Sequence, residues 1–470
     1  VHKTDGIKPL LSIALPIMVQ TLVAHLQIVI DRAFLGNINS LYLSALGNVM
    51  VPYNAVSFFL VSAATGLTIL IAQSLGAHRN DRARGYAESS LFFSTLLGLG
   101  LFLFWQLAGA WIFRLLGAGG LVHDAATRYL RLLSLSLIFF GFEISSGSIL
   151  QGAGITRPIM YAAVIKSGLN ILLDWLLIFG NLGFPELGLE GAALATSIAN
   201  SIGALSLFFF LFSSGLPFRI SRRSLISPRW VDYWASMKIG LPAGIESLLW
   251  FGGQTVMVRI FNSISSRAMG IATLVQGIQI MAVLIYLGFA RGTTTLVGRY
   301  LGQGRIKQAM RTGFLAQKIA LGVSATAGLV FLIFAPRLVD IFTNDPAVIR
   351  SGSRVLRIAA FTIQGQAVNM VIGSAIRGTG DTRWMLRTQV FGTFFVLASA
   401  SLLVFVFGMG IVGIYLTILF DEYIRAAINF LRYIRGGNPF VRGNSAARWR
   451  DTTRRIRREQ LNQVVAGHES

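Results

Sequence analysis

Apolar runs long enough to cross a lipid bilayer recur along this chain from end to end, among them "FFSTLLGLGLFLFWQLAGAWIF" (92–113) and "IALGVSATAGLVFLIFA" (319–335). About 20 apolar residues span the hydrocarbon as an α-helix, whereas an outer-membrane β-barrel would alternate polar and apolar positions. Of 470 residues only 13% are charged, against about 25% in an ordinary soluble domain. Such a chain reads as an all-α integral membrane protein. Its first apolar segment is too long for a detachable secretory signal, and no small-residue cleavage site follows it. Twelve spans are expected, near 9–36, 46–75, 87–113, 129–151, 157–180, 188–213, 235–261, 268–299, 313–335, 351–376, 384–408 and 410–433.

A net charge of +22 raises the question of nucleic acid, but its distribution answers differently. Basic residues alternate between connections. Lys3 and Lys8 precede the first span, and Arg79, Arg82 and Arg84, then Arg219, Arg222, Arg223 and Arg229, then Arg305, Lys307 and Arg311, then Arg377 and Arg383 follow the even-numbered ones. The stretches 37–45, 181–188 and 408–412 have none. Positive loops stay in the cytoplasm, so both termini are expected there, in a bacterial-type inner (plasma) membrane. The tail "RWRDTTRRIRREQ" (448–460) reads as a polybasic segment on anionic lipid, and no nucleic-acid partner is expected. Cysteine is absent, which excludes disulfides, thiolate metal sites and cysteine catalysis.

Comparison of the chain with itself shows a duplication. "GSILQGAGITR" (147–157) and "GSAIRGTGDTR" (373–383) share six of eleven residues, 226 positions apart. At the same offset "GLTILIAQSLGA" (66–77) faces "GTTTLVGRYLGQ" (292–303), and Pro16 faces Pro242. Near the end of each half "GLEGAALAT" (188–196) resembles "GIVGIYLT" (410–417), with the offset reduced to 222. Six spans per copy is an even number, so both copies insert in the same orientation. The expected organisation is an N-lobe over 1–213, a basic linker over 214–234, a C-lobe over 235–434 and a basic tail over 435–470. Two pseudo-symmetric six-helix bundles, twelve transmembrane helices in all, with a binding cavity between them are transporter architecture.

Against that duplication, the buried acids stand out. "NILLDWLLIFG" (170–180) suits hydrocarbon except for Asp174, and a carboxylate at the centre of a bilayer helix costs roughly 2.5–3.5 kcal/mol. Asp31 has Met257 as its repeat counterpart, Asp174 has Ala400, and Asn170 has Val396. Residues needed only for packing should recur in both copies, so these point to function. Asn170 and Asp174 are four apart and share a helix face, extended toward the cytoplasm by Lys166. Gln20, Gln27 and Asp31 form a stripe on the first span. Measured from the outer span ends, Asp31 lies ~8 Å deep, Asp174 ~10 Å and Thr196 ~12 Å at 1.5 Å per residue. Carboxylates, an amide oxygen and a hydroxyl are hard ligands for a small cation such as Na⁺, and two neighbouring carboxylates also compete for one proton. Neutralisation by either ion would make their burial tolerable. The competing reading makes Asp174 a structural partner of Lys166 or Arg32. His25 lies off the Asp31 face, and Gln276, Gln279, Gln364, Gln366 and Asn369 read as interhelical hydrogen-bonders.

These residues and their order resemble the multidrug and toxic compound extrusion (MATE) transporters. "IDRAFLG" fifteen residues beyond the first-span proline, "GLTILIAQSLGA", "QGAGITRP", "NILLDWLLIFG" and "GAALAT" carry the resemblance, which covers roughly residues 8–435. It implies export of organic, often cationic, compounds in exchange for inward H⁺ or Na⁺, by a monomer that needs no cofactor beyond the coupling ion. The family's N-lobe cation site carries over to Asp31, Asn170, Asp174 and Thr196. Departures are Arg32, where many members have a small residue, and Trp175, where Pro is frequent. Arg32 argues against protons as the coupling ion. The tenth span lacks the acid that one branch has there, so the chain resembles the DNA-damage-inducible-type branch with a cation site in the N-lobe alone. Glu246, whose repeat counterpart is Gln20, is a substrate-cavity candidate together with Gln20 and Gln27. The alternative is a lipid-linked saccharide flippase of the same superfamily, for which Lys166, Arg32, Arg259 and Arg291 would suit an anionic headgroup. No HExxH, GxSxG or phosphate-binding Gly-rich lysine motif is present, which argues against a membrane-embedded enzyme or an ATP-driven pump.

Overall fold

The computed structural model describes residues 6–38, 40–115, 119–213, 215–220 and 228–435; the basic tail lies outside them. Among the described residues there is no β-strand. Within the described residues twelve long helices follow one another: α1 (Ile7–Ile38), α2 (Ser40–Gly76), α3 (Asn80–Leu115), α4 (Gly120–Ala153), α5 (Arg157–Phe179), α6 (Gly188–Ser213), α7 (Trp230–Ile264), α8 (Ser266–Gly302), α9 (Ile306–Asp340), α10 (Pro346–Gly378), α11 (Thr382–Ser401) and α12 (Gly410–Arg435). One turn of 3₁₀-helix at Ser134–Ser136 interrupts α4, and a π-turn at Leu402–Val406 continues α11. Ten of the twelve are long and apolar enough to cross a membrane on length and composition; α7 and α12 are the two that are not.

Several helices begin before the apolar runs do. α3 starts at Asn80, α7 at Trp230, α9 at Ile306 and α10 at Pro346. Hydropathy registers the hydrocarbon, whereas backbone hydrogen bonding continues the helix into the polar headgroup layer. The connection expected at 37–45 is likewise helical on both sides of residue 39.

By internal packing the chain divides into two compact units, Leu15–Gly244 and Val1–Ala14 with Ile245–Ser470. Each division falls inside a helix next to its interior proline, Pro16 of α1 and Pro242 of α7. In the first unit α4 packs against α2, α3, α5 and α6; in the second α10 packs against α8, α9, α11 and α12. The duplication therefore reappears as helix packing, α10 being the counterpart of α4.

It reappears atom by atom as well. Thr68 Oγ1 of α2 donates to the Ser148 carbonyl of α4 at 3.4 Å, and Thr294 Oγ1 of α8 donates to the Ser374 carbonyl of α10 at 2.9 Å. One turn further, a Cβ on Gly152 would stand 2.8 Å from the Thr68 carbonyl oxygen, and one on Gly378 would stand 2.6 Å from that of Thr294. Both contacts need glycine. The repeated "G-x-G" motif ends each helix in the same way: Gly154 (φ 78°) donates its N–H to the Gln151 carbonyl, and Gly380 (φ 90°) donates to that of Arg377. That left-handed turn is open to glycine at no steric cost.

Candidate functional site

Three helices of the first unit supply the candidate residues: α1 carries Gln20, Gln27 and Asp31, α5 carries Asn170 and Asp174, and α6 carries Thr196. Gly191 sets the distance between α5 and α6, since a Cβ there would collide with the Leu177 carbonyl. Its absence lets the backbones approach and brings Thr196 beside Asn170. Asn170 and Asp174 have no exposed surface.

The Asp31 and Asp174 carboxyls lie within hydrogen-bonding reach of each other. Among the described residues, neither oxygen of Asp174 meets a hydrogen-bond donor apart from Asp31. Asn170 bridges to the third helix: with its amide nitrogen turned toward Asp31 it donates to Oδ1 at 3.1 Å, and its oxygen accepts from the Thr196 backbone N–H at 3.3 Å. Gln27 also reaches Asp31, and its own Oε1 accepts from the Ser167 hydroxyl at 2.8 Å. All four residues of the expected cation site therefore converge. Their separation along the helix axes differs little from the sequence expectation: Asp31 is seven residues from the end of α1, about 10 Å at 1.5 Å per residue.

Lys166 lies two turns along α5 and is not the partner of Asp174; its Nζ pairs with Glu143 Oε1 of α4 at 2.8 Å. Arg32 is exposed. Among the described residues no basic side chain pairs with Asp174, so the pair of acids has no built-in counter-charge. Two ionised carboxylates in contact inside a low-dielectric protein repel strongly, and a proton or a cation between them removes that repulsion.

Of the cavity candidates, Gln27 belongs to this cluster and Gln20 is half-buried on α1. Glu246 lies in the second unit, where its carboxylate accepts from the Arg377 guanidinium of α10. The glutamines and Asn369 of the second unit largely bond between helices: Gln364 with Ser324, Gln366 with Tyr286, and Asn369 with Glu422 and Asn429.

At the repeat positions the second unit has no such site. Met257 and Ala400 are buried in one hydrophobic cluster with Phe261, Val275 and Phe331, and Val396 and Ile418, counterparts of Asn170 and Thr196, pack against it. Two features escaped the sequence reading. Glu143 was not singled out as the partner of Lys166. Nor was the group Asp421, Glu422 and Arg425 on α12, although three charges in "FDEYIRAAINF" are as unusual in a span as Asp174.

The sequence profile of the MatE family matches the chain twice, over residues 16–176 and 242–403, beginning at the two prolines that the repeat equates. The chain belongs to the MatE family of membrane transporters. A MATE relative, "Probable multidrug resistance protein NorM" of Thermotoga maritima, is 28% identical over 433 residues, 91% of this chain and 92% of the relative. "Uncharacterized transporter YisQ" of Bacillus subtilis is 24% identical over 85% of this chain and 90% of its own length. Among solved structures, a MATE transporter crystallised in its bent conformation matches with a TM-score of 0.85 at 23% identity, covering 96% of this chain and 97% of that one. At that identity the likeness speaks for the MATE fold alone.

Proposed function

We propose that this MATE transporter is a secondary antiporter that exports organic, amphiphilic cations in exchange for inward H⁺ or Na⁺, coupled at Asp31, Asn170, Asp174 and Thr196. The observation that carries the reading is the contact between the buried carboxylate of Asp174 and the half-buried one of Asp31, with no basic partner for Asp174 among the described residues. In the outward-open state the external ion binds between Asp31 and Asp174, Asn170 turns its amide oxygen toward a metal ion, and Thr196 adds a hydroxyl. Neutralising the pair favours a repacked or bent α1 and release of substrate to the outside. Release of the ion to the cytoplasm restores the repulsion and resets the cycle. A membrane potential of 100 mV contributes about 2.3 kcal/mol per net charge moved inward; one-for-one exchange of monovalent cations moves none and draws on the ion gradient alone. Inner-membrane placement with both termini in the cytoplasm belongs to the same proposal, as does function as a monomer. The flippase alternative loses support because Lys166, one of its proposed headgroup ligands, is paired with Glu143.

The test is efflux of a fluorescent organic cation from cells under imposed Na⁺ or pH gradients, for the intact chain and for Asp174→Asn. Gradient-driven efflux that disappears in the variant supports the reading and identifies the ion. Failure of both proteins to move dye under either gradient, despite normal insertion, overturns it.

A further inference from the structure

The second unit holds an open cavity between α7, α11 and α12, with Gln276 of α8 also lining it. Its position follows from the duplication: Met257, Val396 and Ile418, the counterparts of Asp31, Asn170 and Thr196, all line it. At the positions where the first unit has oxygen ligands this cavity has apolar side chains, with Trp250 and Phe261 beside them and Gln254, Gln276 and Gln389 among its neutral polar groups.

Charge enters one level further along. In both units a basic side chain occupies the same place, reached from opposite helices. In the first, Lys166 of α5 lies over Gly203 of α6; in the second, the repeat partner of Lys166 is Gly392 of α11, and Arg425 of α12 lies over it. The charge balance differs. Lys166 faces one carboxylate, Glu143. Arg425 faces two: Nε donates to Asp421 Oδ2 at 2.9 Å and Nη2 to Glu422 Oε1 at 3.1 Å, while Nη1 donates to Gln389 at 3.2 Å. Glu422 is held by Asn369 at 3.0 Å, and Asn369 by Asn429 at 2.7 Å. Asp421, paired through both oxygens, balances Arg425, which leaves the carboxylate of Glu422 in surplus at the cavity wall.

We propose that this cavity is a second ligand site, for a monovalent amphiphilic organic cation whose charge is matched by Glu422 and whose apolar body lies against Trp250, Phe261 and Met257. An organic cation gains apolar burial and aromatic neighbours there that a bare metal ion cannot use. The proposal deepens the export reading and takes its class of substrate from it.

Binding of tetraphenylphosphonium to the purified full chain, followed by titration calorimetry, tests it in the unsubstituted protein, in Glu422→Gln and in Trp250→Ala. The first variant is nearly isosteric, and Trp250 is 48% exposed, so its removal leaves the core intact. Each variant is expected to weaken binding about ten-fold or more, the effect of removing a ligand's buried counter-charge or an aromatic anchor. Weakening in Glu422→Gln supports the counter-charge. Unchanged affinity in Glu422→Gln overturns the site and leaves the export reading standing. No binding by the unsubstituted chain overturns both.

Discussion

Asp174 is a fully buried carboxylate that, among the described residues, has another carboxylate in hydrogen-bonding reach and no basic partner, and that arrangement opposes folding. Stability and function should therefore separate at this residue. We expect Asp174→Asn to raise the thermal stability of the detergent-solubilised protein by about 1–2 kcal/mol in ion-poor neutral buffer while ion-driven efflux falls to background. A melting temperature equal to or below that of the unsubstituted chain would count against an unneutralised pair. The coupling ion should show itself in the same assay. An ion that binds only the folded state at 100 times its dissociation constant stabilises it by about 2.7 kcal/mol; the intact chain should gain that increment from its own ion, and the variant should not. Both acids were legible in the sequence because a carboxylate in an apolar run stands out against the cost of burying it. The fate of Lys166 was not, since its partner Glu143 lies on the preceding helix and meets it only through the packing of α4 against α5.

Helix contacts in this protein are made by small residues, and the duplicated ones give matched tests. Gly152→Val should push α4 away from α2, and Gly378→Val should do the same to α10 and α8, because each new side chain meets a backbone carbonyl. Each substitution is expected to destabilise by about 1–3 kcal/mol, read as a lower midpoint in thermal unfolding, and the two values should be alike. The ion pair between α4 and α5 offers a different element-level test. Lys166→Met leaves Glu143 half-buried and unpaired; because Lys166 is 24% exposed, a loss of about 2 kcal/mol is expected, less than for a fully buried pair. Adding Glu143→Gln should recover most of it in a double-mutant cycle, and no recovery would mean that the pair carries no coupling. Helix number and repeat phase were readable from apolar runs and glycine motifs, but helix starts were not. An apolar run stops at the headgroups, while α3, α7, α9 and α10 go on through charged residues.

On the scale of the whole molecule, the alternation of basic connections makes a prediction about orientation. A reporter active only in the cytoplasm, fused after Arg435, should be active, and a periplasm-dependent enzyme at the same position should not; the opposite pattern would invert the proposed direction of transport. Two units built from one duplicated scaffold have diverged where it matters for chemistry: the Asp31, Asn170, Asp174 and Thr196 positions of one are filled by Met257, Val396, Ala400 and Ile418 in the other. Sequence alone determined the membrane-spanning class, the twelve helices, the duplication and the residues that break it. Those follow from hydrocarbon excluding charge, from the length a helix needs to cross it, and from side chains that differ between otherwise similar halves. Only the tertiary structure decided which charges neutralise one another. Asp174 meets Asp31 and not Lys166, and Lys166 pairs with Glu143 of the neighbouring helix. The contacts of Asp174 with Asp31 and of Lys166 with Glu143 depend on distances of a few ångströms between different helices, which no spacing along the chain encodes.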